Sequence, residues 1–293
     1  MKRKFEERVV DIVINVVLII LGLVALYPIW YVIIASISSP VAISTGEVVF
    51  LPKGLNIDAY KALLAEKRIW IGYRNSIVYT TAATILDLLV MIPCAYALSR
   101  HSLPGRKFFM TAFIFTMYFS GGLVPKYLVI NSLGMVNTPW ALIIPGCVNV
   151  FNMIIARSFF ESSIPDSLLD AAQIDGANYT RFFVQIVLPL SPAMLAIIAL
   201  YSVTAHWNAY LGAQMYIYDA DLYTLQQVIK SITATLDSTL MENATFDEIS
   251  AAIREKQLMK YAVVLVASLP LVVAYPFIQK YFVKGVMVGA VKG

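Results

Sequence analysis

Histidine, cysteine and charge are all scarce in this chain of 293 residues. It contains two histidines and two cysteines, whereas a metal site built from such ligands needs several of them at defined spacing. Only 14% of the residues are charged and 59% are hydrophobic, which is far more apolar than an ordinary soluble domain. The composition therefore predicts a polytopic membrane protein without a bound metal.

Motifs for catalysis and for nucleotide binding are also missing. The chain contains no G-x-x-x-x-G-K-[ST], and its glycine-rich tail, Gly285–Gly293, does not fit that phosphate-binding pattern. It also lacks G-x-S-x-G, H-E-x-x-H and C-x-x-C, which mark hydrolases, zinc proteases and redox or zinc sites. We expect no catalytic residue and no bound cofactor, so any energy source must lie on another subunit.

Six apolar segments are each long enough to cross a hydrocarbon core of ~30 Å as a helix. The first is too long for the apolar region of a signal peptide, so we expect it to be retained. The sequence predicts an all-α membrane protein with a single membrane domain over residues 1–293. Its six transmembrane helices are predicted at Val9–Ser36, Asn75–Ser99, Phe108–Val124, Thr138–Ala156, Val187–Ala205 and Tyr261–Ile278.

Positive charge is distributed unevenly between the two sets of loops. One set, which includes both termini and residues 157–186, holds 12 lysines and arginines in 61 residues, and the opposite set holds 10 in 106. Because Lys and Arg are retained on the cytoplasmic side, the denser set is predicted to be cytoplasmic. The short loop Arg100–Lys107 has the most weight here, since long loops obey this rule poorly.

A polar, helix-capable segment, Pro165–Pro189, separates the fourth and fifth apolar segments. Pro165 and Asp166 favour a helix start, because proline gives up no needed donor there and the carboxylate faces the positive end of the helix dipole. Gly176 follows where a helix commonly ends in a left-handed residue. Beyond it, apolar residues recur at three- and four-residue steps: Tyr179, Phe182, Phe183, Ile186 and Val187. We predict two short helices set at an angle, with Gly176 as the hinge.

Two of the loops on the opposite side, Ile37–Arg74 and His206–Lys260, are long enough to fold. In the second loop, apolar residues keep helical spacing from Leu222 to Ile229 and again from Phe246 to Ile253. We expect two external amphipathic helices, which either lie on the membrane surface and pack on each other or form part of a platform for a binding protein. Pro125–Asn137 is predicted to be a brief connection.

The polar segment resembles a known motif. Asp170-Ala171-Ala172 is followed after three residues by Gly176, and after nine more by Ile186-Val187-Leu188-Pro189. This spacing resembles the EAA motif of binding-protein-dependent ABC importer permeases, which in that family forms a cytoplasmic coupling loop seated in a cleft of the ATPase subunit. The run Asp175-Gly176-Ala177 is similar to the carbohydrate-uptake branch. Asp170 stands where the family usually has Glu, so the carboxylate is one methylene closer to the backbone.

The resemblance covers almost the whole chain. Further runs are similar to carbohydrate permeases of the maltose-transporter type, closest to the group for oligosaccharides and complex polysaccharides: Asn75-Ser76, Ala95–Arg100, Pro104–Arg106, Phe119–Pro125 and the tail Tyr275–Gly293. The resemblance implies the type I importer permease fold, with six transmembrane helices and cytoplasmic coupling helices. It also implies a set of ATPase-coupling residues: Asp170, Ala171, Ala172, Asp175, Gly176, Ala177, Phe182, Phe183 and Pro189.

The partners are likewise implied by the resemblance. A non-catalytic permease of this type forms a heterodimer with a homologous second permease and receives an oligosaccharide from an extracytoplasmic sugar-binding lipoprotein. Two separate ATPase subunits bind ATP and Mg. The location implied is the bacterial cytoplasmic membrane, which the chain crosses several times with both termini in the cytoplasm. No nucleic acid takes part.

Seven residues are candidates for a sugar path. Asp87 lies near the middle of the second predicted span, where a carboxylate is unfavourable unless it is paired or faces water. Two asparagines share one helical face in the fourth span, and aromatic and polar residues cluster at the outer end of the fifth. Interhelical hydrogen bonds or an interfacial aromatic belt explain them equally well. The candidates are Asp87, Asn149, Asn152, Tyr201, His206, Trp207 and Asn208.

Two other classes of protein compete with the importer. A secondary transporter is expected to carry paired intramembrane charges and internal repeats, and Asp87 is the one clear deep charge in the sequence. A membrane enzyme acting on lipid-linked sugars is expected to cluster carboxylates or bases at an interface. The acids between Glu242 and Glu248 are too loosely spaced for that.

Overall fold

The computed structural model describes residues 5–238, 258–273 and 275–276. Throughout this part of the chain the regular structure is helical and no strand occurs, so the all-α prediction is confirmed. A π-helical turn covers Phe183–Val187 and a 3₁₀ turn covers Ala220–Leu222. The α-helices are α1 (Phe5–Ser36), α2 (Pro40–Ser44), α3 (Asp58–Ala65), α4 (Lys67–Ser99), α5 (Arg106–Tyr118), α6 (Leu123–Ser132), α7 (Trp140–Ile143), α8 (Val150–Ser163), α9 (Asp166–Ile174), α10 (Tyr179–Phe182), α11 (Pro192–Trp207), α12 (Tyr210–Tyr216), α13 (Leu225–Ser238) and α14 (Leu258–Val273).

The chain divides into two compact units. The first combines Met1–Ile69 with Ile229–Leu269, and the second combines Trp70–Val228 with Pro270–Gly293. The single membrane domain inferred from the sequence stays a prediction.

In the first unit, the chain that follows α1 folds back against the end of that helix. The Tyr27 hydroxyl donates a hydrogen bond to the Val49 carbonyl at 3.2 Å, and the Trp30 indole donates to the Phe50 carbonyl at 2.9 Å. Over residues 10–30 the apolar side chains of α1 are exposed on all sides of the helix, whereas Ile34, Ala35 and Ser36 at its end are buried. An apolar surface on every side of a helix of this length is typical of a lipid-facing span.

Only some of the predicted spans are single helices. By length and composition, Val10–Ser36 and Lys67–Ser99 are long and apolar enough to cross a membrane, and the described residues hold up to four such spans if two bent helix pairs are counted. The second helix begins at Lys67, eight residues before the predicted Asn75. The last predicted span corresponds to α14, and residues 274, 277 and 278 of that span lie outside the described chain.

The predicted spans Phe108–Val124 and Val187–Ala205 are both bent. Helix α5 ends at Tyr118, and α6 leaves at 114° to it after a break. Gly122 has φ +90°, a value that favours glycine. Helix α6 then occupies most of the predicted brief connection. In the second pair, α11 lies at 87° to the helix that ends at Val187, because Pro189 within the break and Pro192 at the start of α11 disfavour a continuous helix.

The predicted span Thr138–Ala156 is not one helix either. Helix α7 is a single turn, α8 starts only at Val150, and Pro145 and Gly146 lie between them. The Asn149 side chain accepts a hydrogen bond from the Asn152 amide at 3.0 Å and so caps the start of α8. The apolar length of the segment predicted a span, but proline, glycine and a capping asparagine determine the local backbone.

One hydrophobic cluster in the second unit joins α4, α5, α8, α9, α10 and α11. Its fully buried side chains include Met153, Phe160, Phe182 and Ile198. The Tyr96 ring meets the Phe160 ring edge-on, with centroids 5.6 Å apart. Burial of each large apolar side chain contributes roughly 1.5–3 kcal/mol, so the polar segment Pro165–Pro189 is anchored by its apolar face.

The external helices predicted from the sequence are described in part. Helix α13 starts at Leu225, and Leu222 belongs instead to the preceding 3₁₀ turn. At Gly72 the α4 backbone approaches that helix closely, since a Cβ there would lie 3.0 Å from the Leu225 Cα. The second predicted helix, from Phe246 to Ile253, lies outside the described residues.

Candidate functional site: a two-helix segment and a polar cavity

The Pro165–Pro189 segment contains two helices joined by a left-handed glycine. Helix α9 starts at Asp166 and ends at Ile174. Gly176 has φ +81°, and the Ala177 amide donates to the Ala172 carbonyl at 2.9 Å. The Asn178 side chain then caps α10 by accepting from the Arg181 amide at 2.8 Å. The positions of the first helix and the glycine agree with the sequence prediction, because both follow from local capping chemistry.

The predicted coupling residues fall into two groups by burial. Ala172 and Phe182 are buried in the hydrophobic cluster, and the half-buried Phe183 lies beside Tyr96 with ring centroids 5.1 Å apart. Ala177 is half-buried. The remaining predicted residues are exposed: Asp170, Ala171, Asp175, Gly176 and Pro189. The segment therefore has a packed base and an exposed tip.

Two exposed apolar side chains at this tip were not among the predicted coupling residues. Ile174 is 87% exposed and Tyr179 is 66% exposed, and they lie on either side of Gly176. Large apolar groups exposed together are candidates for a protein contact. The apolar spacing put Tyr179 and Phe182 on the same predicted helical face. The structure distinguishes them by burial, since Phe182 is buried and Tyr179 is exposed.

Arg100 connects the end of α4 to the same segment. It is 8% exposed, and its guanidinium donates to the carbonyls of Phe160 and Ile164, each at 3.0 Å. It also donates to the Asp166 carboxylate at 2.9 Å and lies 5.0 Å from the Tyr96 ring centroid. Arg100 thus satisfies carbonyls at the C-terminus of α8 and fixes the first residue of α9.

Arg106 and Arg157 extend this contact into an arginine cluster with Glu161. Both guanidiniums donate to the Leu98 carbonyl, at 2.9 and 3.1 Å, and both pair with the Glu161 carboxylate. Burial lowers the pKa of the Arg157 guanidinium, and the positive charge of Arg106 lowers it further. We call Arg100, Arg106, Arg157, Glu161 and Asp166 the arginine cluster. In the sequence, these arginines predicted orientation, and Arg100 and Arg106 also belong to runs that carry the family resemblance.

The structure brings two of the predicted path residues, Asp87 and His206, together. His206 Nε2 lies 2.9 Å from Asp87 Oδ2, although the residues belong to different helices. Asp87 is 3% exposed, and its other carboxylate oxygen, Oδ1, has no partner in the described part of the chain. The imidazole also lies over the break between α7 and α8, since a Cβ at Gly146 would be 3.2 Å from His206 Cε1.

His206 faces a polar cavity of about 240 Å³ in the second unit. The cavity lies among α4, α6, α11, α12 and the start of the α13 segment. Its lining contains five hydroxyl-bearing side chains, one lysine, one histidine and no acidic residue. The polar lining residues are Ser76, Tyr79, Thr80, Lys126, His206 and Thr224, with Tyr216 at the wall.

The other predicted path residues do not line this cavity. Asn149 caps α8, Asn152 is buried, and the Asn208 amide donates back to the Thr204 carbonyl at 3.0 Å. Trp207 is buried, whereas Tyr201 is 45% exposed. Their part in a sugar path stays a prediction. Lys126, by contrast, lines the cavity, although in the sequence it was recognisable only as a loop charge.

A second cavity of about 470 Å³ lies beside the first. Lys126 and Pro145 line both cavities. Apart from Lys126 the second lining is mainly apolar, with Val129, Ile130, Leu133, Met135 and Ile144. Within the described residues no group of three His, Cys, Asp or Glu side chains is arranged to hold a metal ion.

Comparison with known proteins identifies the family. Residues 69–288 match the family described as binding-protein-dependent transport system inner membrane component. The chain belongs to this family. It is a membrane-spanning permease of an ABC importer with the type I fold, and it is not itself an enzyme. Membership decides against both the secondary transporter and the membrane enzyme.

The permease is similar along its length to individual relatives. It is 35% identical to the polygalacturonan/rhamnogalacturonan transport system permease protein YtcP of Bacillus subtilis (strain 168), covering 98% of this chain and 100% of the relative. It is also 35% identical to protein LplC of the same organism, over 93% and 91% of the two chains. A chain in the crystal structure of a bacterial ABC transporter involved in the import of the acidic polysaccharide alginate is 32% identical, covers 96% of this chain and 99% of that one, and has a TM-score of 0.81.

Proposed function

We propose that this permease forms half of the membrane path of an importer for acidic oligosaccharides. Its partners are a homologous second permease, two ATPase subunits that bind ATP and Mg, and an extracytoplasmic sugar-binding lipoprotein. The substrate class is supported by two relatives, one named for polygalacturonan and one involved in the import of alginate. Both polymers carry a carboxylate on their sugar units.

The observation that carries the coupling mechanism is the packed base and exposed tip of the Pro165–Pro189 segment. The tip, with Ile174 and Tyr179 exposed on either side of Gly176, contacts the ATPase subunit. The base, with Phe182 buried and Asp166 held by Arg100, passes the displacement to α4 and α8. A segment fixed at one end by apolar packing and ion pairing moves as a unit when force is applied at the other end.

This mechanism requires the segment to lie on the cytoplasmic side, where ATP is hydrolysed. The density of lysine and arginine in the loops on that side supports this orientation. Both termini are then cytoplasmic. The polar cavity lined by Lys126 and His206 lies toward the other end of α4, on the side from which a binding protein delivers sugar.

The coupling role is tested by replacing Gly176 with valine. A β-branched residue is strained at φ +81°, so the turn between α9 and α10 must shift. Gly134→Val is a matched control, because Gly134 also has a positive φ, +67°, and no neighbour within 4 Å of its Cβ position. In proteoliposomes containing the assembled importer, Gly176→Val is expected to lose most ATP-driven uptake of trigalacturonate while ATP hydrolysis continues. Equal uptake by the two variants contradicts the coupling role.

A further inference from the structure

We propose that Lys126 and the polar cavity form a subsite for the carboxylate of an acidic sugar unit. This subsite rests on the proposed function, and Lys126 would be the residue that selects acidic sugars. It is carried by three observations on the described residues: the position of Lys126 between two cavities, the absence of a partner for its charge, and the donor-rich lining that surrounds it.

Lys126 occupies the junction of the two cavities. Together with Pro145 it lines both the polar cavity and the larger, mainly apolar one. The polar cavity is smaller than a typical drug-sized ligand pocket of roughly 300–1,000 Å³, so it fits a single sugar unit rather than a chain. An oligosaccharide that extends from one cavity into the other passes the ammonium group of Lys126.

The charge of Lys126 has no counterpart within the described residues. No hydrogen bond or ion pair of its ammonium group occurs there, and no acidic side chain lines either cavity. Exposed lysines in the first unit differ, since Lys53 pairs with Glu47 at 3.3 Å and Lys61 with Asp58 at 3.0 Å. Asp87 lies behind the His206 ring, 97% buried, and does not reach the cavity lining.

The position of Lys126 is unfavourable for the helix that carries it. The residue lies in the first turn of α6, which starts at Leu123, and a cation near the positive end of a helix dipole destabilises the helix. Within the described residues no local ion pair offsets this effect. An anion in the cavity would interact favourably with both the ammonium group and the helix terminus.

The rest of the polar lining supplies hydrogen-bonding groups for sugar hydroxyls. Thr80 lines the cavity, although the residue as a whole is only 6% exposed. The Tyr79 hydroxyl is only weakly engaged, at 3.4 Å from the Leu222 carbonyl. Hydroxyl groups on a cavity wall both donate and accept hydrogen bonds, as the hydroxyls of a sugar require. The ligand class that satisfies this lining is a sugar with a carboxylate.

The test measures uptake of trigalacturonate by the assembled importer in proteoliposomes, with its ATPase, second permease and binding protein. The variants are Lys126→Met, Lys126→Arg and Lys107→Met. Lys107 is a matched control, because it is also an exposed lysine in the first turn of a helix, α5, and lines neither cavity. Basal ATP hydrolysis and the amount of inserted protein are measured for each variant.

Loss of the ammonium group is expected to raise the KM for trigalacturonate roughly tenfold or more, the usual size of a hydrogen bond to a charged group. Lys126→Arg should restore a KM within about threefold of the wild type, because it keeps the charge. Raising the ionic strength should increase the wild-type KM but not that of Lys126→Met, since salt screens the attraction. Lys107→Met should behave like the wild type.

The outcomes separate the subsite from the proposed function. If the wild-type importer takes up no trigalacturonate, the proposed substrate class is wrong and the subsite falls with it. If the wild type transports it and Lys126→Met has an unchanged KM, only the subsite is overturned. A lysine that merely anchors α6 at the membrane surface would lower the amount of inserted protein and leave the KM and its salt dependence unchanged.

Discussion

The arginine cluster and the polar cavity that Lys126 lines use positive charge in opposite ways. In the cluster, Arg100, Arg106 and Arg157 each contact a carboxylate and at least one backbone carbonyl. In the cavity, the ammonium group of Lys126 has neither within the described residues. Charges satisfied by the protein hold its helices together, whereas an unsatisfied charge on a cavity wall is available to a ligand. The arginine cluster therefore links the helices mechanically, and the polar cavity recognises the sugar.

Helix α4 joins the two regions and is fixed at both. Near its start, the Asn75 amide donates to the carbonyls of Asp221 and Tyr223 at 2.8 and 3.0 Å, and the Ser76 hydroxyl accepts from the Leu225 amide at 2.8 Å. At its other end lies Arg100. At 1.5 Å per residue, these ends are roughly 36 Å apart along the helix. A displacement of the two-helix segment can therefore reach the cavity wall through one element.

Removal of Arg100 is the strongest test of this comparison. Arg100→Met should destabilise the permease by about 3 kcal/mol, since it leaves the carbonyls of Phe160 and Ile164 without their donor and breaks the ion pair to Asp166. The midpoint of thermal unfolding in detergent measures the loss. Arg181→Met is the control, because Arg181 is exposed and, within the described residues, its guanidinium hydrogen-bonds only to Gln185. A midpoint for Arg100→Met equal to that of the control would mean that the buried guanidinium does not hold these helices.

Neutralising Glu161 should have a smaller effect. Glu161→Gln keeps the shape of the side chain but removes the charge shared by Arg106 and Arg157, leaving two guanidiniums close together with one carboxylate fewer. We expect a loss of about 2 kcal/mol in stability, again read from the unfolding midpoint. Glu47→Gln removes a carboxylate whose side chain is 54% exposed and which, in the described part of the chain, forms an ion pair only with Lys53. It should change stability by less than about 0.5 kcal/mol.

The two-helix segment was the most predictable part of the site. Its helix start at Asp166 and its left-handed Gly176 depend on capping and on backbone sterics, which act over a few residues and are readable from the sequence. The resemblance of this segment to the family motif was recognisable because the motif also lies within a few residues of continuous sequence. The burial of Phe182 and the exposure of Tyr179, three residues earlier, depend on which face meets the core, which spacing alone does not decide.

Contacts between distant residues were not predictable. Asp87 and His206 were both candidates, but their pairing joins positions 119 residues apart. Arg100 reaches carbonyls 60 and 64 residues away, so its sequence context shows only a basic loop. The fourth apolar segment is not one helix for a different reason, since counting apolar length gives too little weight to Pro145 and Gly146. Lys126 becomes distinctive only when the cavities on both sides of it are seen.

The smallest expected effect is the stability of Lys126→Met. Because Lys126 has no ion pair to lose within the described residues and lies near the positive end of α6, removing its charge should leave the unfolding midpoint unchanged or slightly raised, within about 0.5 kcal/mol. The same unfolding measurement, made without substrate, allows direct comparison with Arg100→Met and Glu161→Gln. A fall as large as that of Glu161→Gln would show that Lys126 also holds the fold together. Lys126 would then stabilise the fold as the arginines do, and the contrast between the arginine cluster and the polar cavity would fail.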